Sequence, residues 1–292
     1  MNKLKEFYWK LIENKWQLGF PKTTIEDIVA GKPYEVDWLK GTPDDRWFAD
    51  PFVLDATPSH IVLLVEEYFY YNEKGRLARL TISRSDFSLE KNETILDLDT
   101  HLSFPTIIRK DNKIYIYPEN SACGALNVYE YDVNTNKCLF KKKLCNEPLT
   151  DAVFTEIEGK PYIFSTQMPN PNGNVLNIYQ PNDKGDFVKT NEVKFDENNA
   201  RNGGGYFSIN GNIYRPAQCC DGGYGRALSI QRVTPVNGTF KFEEVARLKS
   251  PSKRFDQGMH TLNHYKDVVV IDVRGYRWPS IGRPIDAIRN LF

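Results

Sequence analysis

The chain has 292 residues, 40% hydrophobic and 13% aromatic, enough for a large core in one or two domains. Lys plus Arg and Asp plus Glu balance at 38 each, which excludes a global field favouring nucleic acid or an anionic membrane. No apolar run approaches the roughly 20 residues that a membrane-spanning helix requires.

The first 20 residues, "MNKLKEFYWKLIENKWQLGF", read as a short amphipathic helix with charges throughout and no signal-peptide core. Within them "KWQLGF", residues 15 to 20, is a candidate strand for closing a ring of repeats. From residue 46 onward, short β-type runs rich in β-branched and aromatic residues alternate with turns, and convincing helices are absent. "HIVLLVEEYFYY", "KIYIYPE", "LNVYEYD" and "VVVIDVRG" are such runs; "NEKG", "NTNK", "NPNG" and "NGN" are such turns. The C-terminal "SIGRPIDAIRNLF" reads as a tail packed under the domain if it does not help to close the ring. The five cysteines (Cys123, Cys138, Cys145, Cys219, Cys220) have no metal-ligand spacing and read as free thiols in a reducing cytoplasm.

Four blocks share one grammar: a polar opening, a strand, a tight turn and a second strand with a polar end. They are "ADPFVLDATPSHIVLLVEEYF", "HLSFPTIIRKDNKIYIYPEN", "TDAVFTEIEGKPYIFSTQ" and "ARNGGGYFSINGNIYRPAQ"; "GMHTLNHYKDVVVIDVRG" fits more loosely. Their openings, at Asp50, His101, Asp151, Arg201 and His260, are spaced by 51, 50, 50 and 59 residues. A period near 50 with about four strands is the size of a propeller blade. The expectation is an all-β chain: residues 1–40 an N-terminal helix with a candidate ring-closing strand, residues 41–292 a single five-bladed β-propeller.

In an antiparallel hairpin the start of the first strand and the end of the second lie at one edge. Five openings and five strand ends should therefore meet at one channel mouth. That mouth would collect Asp50, His101, Asp151, Arg201, Asn202 and His260 with Glu66, Glu67, Glu119, Gln167, Arg215, Gln218, Asp272 and Arg274. Carboxylates, imidazoles and guanidiniums are not the usual turn chemistry, so a shared polar pocket is expected. Trp47, Phe48, Tyr68, Tyr206 and Tyr224 are aromatics near this mouth that could stack on a ligand. "NGGG" at 202–205 matches neither a dinucleotide fingerprint nor a P-loop, and the scattered His and Asp residues lack metal-ligand spacing. No cofactor and no metal are expected.

The blade opening "ADPF" in a five-blade layout resembles the arabinanase, xylosidase and invertase superfamily of glycosidases. The series "WFADPFVL", "EE", "SFPTI", "YPE", "DAVF", "ARNGGG", "YRPAQ" and "YGRALSI" is similar to the glucosamine inositolphosphorylceramide transferase N-terminal domain family, over about residues 40 to 275. That resemblance implies a propeller module that precedes a glycosyltransferase domain in plants, with bacterial relatives standing alone or beside enzymes of surface-glycan synthesis. No glycosyltransferase domain follows before Phe292, so the activity is expected to rest on the propeller.

The glycosidase resemblance implies Asp50 as base or nucleophile and Asp151 as the residue that positions and tunes the acid. The Glu expected farther along is missing from blade four, which offers Arg201, Arg215 and Gln218; Glu119, or Glu66 or Glu67, is the available substitute. Glu66, Glu67, His101, Arg201, Asn202, Arg215, Gln218, His260 and Arg274 would hold the substrate. Arg201, Arg215, Arg226 and Arg274 point to an anionic or phosphate-linked sugar. The expected function is a carbohydrate-active propeller working on a glycan or glycoconjugate in surface-polysaccharide metabolism. The alternative is a non-catalytic module that binds a glycan or docks a glycan-biosynthesis enzyme.

Overall fold

A computed structural model describes residues 10–289. Twenty strands form five four-stranded antiparallel sheets arranged as the blades of a propeller. Blade one is β3 (Arg46–Ala56), β4 (His60–Phe69), β5 (Lys74–Ser83) and β6 (Leu89–Leu96). Blade two is β7 (Ser103–Lys110), β8 (Lys113–Glu119), β9 (Leu126–Asp132) and β10 (Lys137–Cys145). Blade three is β11 (Leu149–Ile157), β12 (Lys160–Gln167), β13 (Val175–Pro181) and β14 (Phe187–Lys194). Blade four is β15 (Phe207–Ile209), β16 (Asn212–Cys219), β17 (Ala227–Val236) and β18 (Thr239–Leu248).

The fifth blade is composite: β19 (Gly258–Tyr265) and β20 (Val268–Tyr276) pair in turn with β1 (Asn14–Pro21) and β2 (Val36–Trp38) from the N-terminus. Residues 14–21 are therefore the ring-closing strand expected at "KWQLGF", not the end of a helix. Trp16, Leu18 and Phe20 alternate along β1 and are all buried, the period of a strand with one face in a core. The rest of the helical reading falls on residues 10 and 11, which are helical, on residues 12 and 13, which are not, and on residues 1–9, which lie outside the described residues.

Among the described residues, two α-helices flank the propeller, neither at the place where the N-terminal helix was expected. Helix α1 (Ile25–Val29) is capped by the Thr24 hydroxyl, which accepts from Asp27 N, and drops Ile25 and Ile28 between blades four and five. The expected C-terminal tail is helix α2 (Pro279–Arg289), tied to β20 by the Tyr276 hydroxyl donating to Asp286 at 2.6 Å.

Apolar faces of neighbouring blades make the core. Leu18 and Val270 of blade five meet Val65 and Leu80 of blade one, and Leu64 and Leu77 meet Ile116 and Tyr131 of blade two. Phe164 and Ile178 of blade three pack on Val233 and Phe240 of blade four. Each such side chain contributes about 1.5–3 kcal/mol of burial. Breaking the ring anywhere would expose two blade faces.

A repeated bulge positions the mouth. Register breaks between Ala49 and Phe52, Ser103 and Thr106, Thr150 and Val153, and Met259 and Leu262 put a bulge near the start of four innermost strands. Three of these bulges hold a non-glycine residue at positive φ: Asp50 at 50°, Phe104 at 45° and Asp151 at 45°. Such a conformation costs on the order of 1–3 kcal/mol and re-aims the side chain out of the ladder.

Candidate functional site

A bulge takes a backbone N–H out of its ladder, and the carboxylates of the preceding blade receive these orphans. Asp272 on β20 accepts from Asp50 N at 2.9 Å, Asp50 on β3 accepts from Phe104 N at 3.1 Å, and Glu119 on β8 accepts from Asp151 N at 3.1 Å. The acids at the mouth thus clip each blade to the next. In blade four the opening is a loop through "NGGG" instead of a bulged strand. There Asn202 bridges Ala217, and Gly204, at φ 147°, lies so close to blade five that a Cβ would stand 2.0 Å from Leu262 O.

At the centre lies a cavity of about 230 Å³. Asp50, Glu66, His101, Glu119, Arg201 and His260 line it, with Ser103 between. Trp16, Trp47, Tyr68 and Tyr224 form its aromatic walls. Trp47 stacks on Tyr68 with ring centroids 4.6 Å apart, and Trp16 stacks on His260 at 3.8 Å.

On one side, His260 stands between two acids: Nδ1 is 2.7 Å from Asp272 Oδ1 and Nε2 is 3.3 Å from Asp50 Oδ1. Burial lowers the His260 pKa, but Asp272 and Asp50 together outweigh it and hold the imidazole above its ordinary value. Burial pushes the Asp50 carboxyl well up, and His260 pulls the other way. Asp50, His260 and Asp272 also offer ligand atoms within 4.8 Å of one another. Asp272 Oδ1 already accepts from His260 Nδ1, His260 N and Thr261 N, and Oδ2 accepts from Asp50 N. These bonds engage both Asp272 oxygens and His260 Nδ1, and leave Asp50 Oδ1 and His260 Nε2 facing each other.

On the other side, Arg201 Nε donates to Asp151 Oδ2 at 2.6 Å, and its guanidinium lies 3.6 Å from Glu119 Oε2. Gln218 donates to the same Asp151 oxygen at 2.7 Å. Burial pushes Glu119 well above the usual carboxylate range, Asp151 adds to the push, and Arg201 opposes it. Glu66 faces His101 Nε2 at 3.2 Å, while His101 Nδ1 accepts from Gly75 N at 3.0 Å, which fixes the neutral-ring proton on Nε2. Gly75 is required there: a Cβ would stand 2.6 Å from Glu66 Oε1 and from Leu102 O.

The structure separates the expected site residues. Asp50, Glu119, Glu66, His101, Arg201 and His260 face one cavity, and Asp151 lies directly behind Glu119 and Arg201. Glu67 does not line it: the pleat turns Glu67 away from Glu66, to Arg46 and Arg76 at 2.7 Å each and to Asn92. Asn202 is fully buried and braces the ring by donating to Asp151 O and Phe164 O. Arg215 is fully buried inside blade four, held by Asn202, Gln231, Asn199 O and Ala200 O. Gln218 is a brace as well, reaching the cavity only through Asp151. Arg274 opens onto a neighbouring cavity.

Among the aromatics, Phe48 belongs to the core between blades five and one, and Tyr206 packs on Phe164 at the other end of the channel. Trp16 lies in the strand expected to close the ring but was not expected at the mouth; the alternation of Trp16, Leu18 and Phe20 was the available signal.

Together these features define a five-bladed β-propeller with a carboxylate-rich, aromatic-walled pocket at its channel mouth. The chain belongs to the family described as glucosamine inositolphosphorylceramide transferase 1, N-terminal, which matches residues 40–275. It is 28% identical over 251 residues to the glucosamine inositolphosphorylceramide transferase 1 of Oryza sativa subsp. indica. That match covers 76% of this chain and 33% of the rice protein, so the chain spans about a third of its relative's length.

In fold it is similar to a β-xylosidase/α-arabinofuranosidase from a compost metagenome, with TM-score 0.54, 10% identity, and 80% and 92% of the two chains covered. A family 117 glycoside hydrolase of Zobellia galactanivorans gives TM-score 0.52 and 12% identity over 94% of each chain.

Proposed function

We propose that the channel mouth binds a glycan or glycoconjugate and acts on a glycosidic bond, in surface-polysaccharide metabolism. The observation that carries this reading is that one cavity joins Asp50 and Glu119 beneath the Trp16, Trp47, Tyr68 and Tyr224 rings. Apolar faces of sugar rings stack on such walls. Glu119, whose carboxyl burial and Asp151 push well above the usual carboxylate range, would give its proton to the leaving oxygen. Asp50, whose ionised form His260 and Phe104 N favour against the push of burial, would attack the anomeric carbon or take a proton from the incoming water. The name of the rice relative supports a sugar-handling family, and the unpaired cysteines support a reducing, cytoplasmic setting.

Arg201 favours a second reading. Its guanidinium stabilises ionised Glu119, the wrong form for a general acid, so the same pocket would bind a glycan without turnover and serve a partner enzyme of glycan biosynthesis.

Screening aryl glycosides and sugar nucleotides against wild type, Asp50→Asn and Glu119→Gln separates the two. The catalytic reading expects losses of about 10²–10⁴ in turnover with binding retained. Turnover unaffected by either change removes that reading, and binding without turnover in the wild type establishes the second.

A further inference from the structure

Four arginines near the mouth differ in how their charge is met. Arg201 is paired with Asp151 and Glu119, and Arg215 with four acceptors inside blade four. Arg226 and Arg274 have no carboxylate partner among the described residues. Arg274, on β20, donates from NH2 to Gln257 O at 3.3 Å, and its Nε is buried with no acceptor. Arg226 donates to the same carbonyl at 2.9 Å and lies 3.5 Å from Gln257 Oε1. One backbone oxygen therefore serves two guanidiniums. Burial depresses the Arg274 pKa and Arg226 adds to the depression, the mark of a cation without enough negative charge around it.

Both arginines line a separate cavity of about 340 Å³. The two acids on its wall are already engaged, Glu13 by Arg277 at 2.8 Å and Asp286 by the Tyr276 hydroxyl at 2.6 Å. Gly222 and Gly223, at φ 72° and 136°, bound it with bare backbone. The cavity adjoins the central one: the Arg274 guanidinium lies 5.7 Å from the Trp16 ring and 5.6 Å from the Tyr224 ring, and both rings wall the central pocket.

We infer that this second cavity is an anion subsite in which Arg226 and Arg274 hold a phosphoryl group carried by the ligand of the central pocket. Two planar forks with unfilled donors match the oxygens of a phosphate by paired hydrogen bonds, and a lone ammonium would not. The ligand is then a sugar phosphate or a phosphate-linked glycoconjugate. This naming of the ligand rests on the glycan reading above; the anion subsite does not.

Inorganic phosphate, titrated into the full chain at constant ionic strength while the arginine Nε–H signals are followed by NMR, tests the subsite alone. A saturable shift at Arg274 is expected, with affinity weakened about tenfold or more by Arg274→Gln and by Arg226→Gln. Arg226 is exposed, so its variant guards against loss of folding. No saturable shift, the same response to chloride, or unchanged affinity in the double variant overturns the subsite and leaves the glycan reading standing. Hexose 1-phosphates titrated beside the unphosphorylated hexoses test the link. Binding tighter than phosphate alone, with shifts in both cavities, is expected; affinity equal to that of phosphate keeps the subsite and overturns the assignment of a shared ligand.

Discussion

Asp272→Asn probes the junction on which both the ring and the site depend. Asp272 on blade five receives four donors: Asp50 N at 2.9 Å, Thr261 N at 2.9 Å, His260 N at 3.3 Å and His260 Nδ1 at 2.7 Å. Asparagine has one carbonyl oxygen. Placing it toward His260 and Thr261 sets the amide NH₂ against Asp50 N, so a buried N–H loses its acceptor at about 1–3 kcal/mol. Losing the charge opposite His260 adds about 1.5–3 kcal/mol. A total near 4 kcal/mol in a chain of this size lowers Tm by roughly 10 °C.

Asp55→Asn is the control, because Asp55 and Lys266 also join blades one and five but are about half exposed, a pair worth at most about 1 kcal/mol. Calorimetry at one scan rate compares the two variants. Equal Tm shifts would refute the claim that buried carboxylates clip the blades together.

Other consequences follow from the same geometry. Because its folded pKa is raised, His260 contributes stability that is fully present below its unfolded value near 6.5 and is lost as pH rises through the folded value. The Tm of the wild type should fall over that alkaline window, and His260→Gln should flatten the slope. Ligand binding that uses protonated Glu119 should weaken as pH rises through its raised pKa, and Glu119→Gln, which cannot ionise, should remove that decline in calorimetric titrations. Arg215→Met orphans the buried acceptors Asn202 Oδ1, Gln231 Oε1, Asn199 O and Ala200 O, at about 1–3 kcal/mol for each left unsatisfied, and should lower stability in unfolding experiments while leaving ligand affinity unchanged; weakened binding at full stability would return Arg215 to the site.

Much of the ring was legible because strand runs and turn residues repeat in the sequence. The register was not. Spacing aligned His101 with Asp50, but the residue at the equivalent bulge is Phe104, preceded by Ser103 opposite Glu119 as Ala49 is opposite Glu66. Bulges insert one residue per strand, and a period read from polar residues cannot locate them. "EE" at 66 and 67 named two candidates where the pleat admits one. Arg215 and Asn202 carry the residue types of a binding site, yet both are buried as braces. Polar type alone does not separate a ligand contact from a brace that satisfies buried carbonyls. The ring-closing strand at "KWQLGF" was legible, but that its first buried residue, Trp16, would stack on His260 at the mouth depends on its register with β20, which no local pattern displays.

The central claim is that the aromatic-walled mouth receives a glycan. The most direct test is to follow the tryptophan indole N–H signals while oligosaccharides are titrated into the full chain. Trp16 and Trp47 wall the pocket, whereas Trp38 packs beside the core between blades four and five and Trp278 is exposed beyond β20. Saturable shifts confined to Trp16 and Trp47, abolished by Trp47→Ala, are the expected result. Shifts confined to Trp278 or Trp38, or none with any glycan or sugar phosphate, would contradict the account.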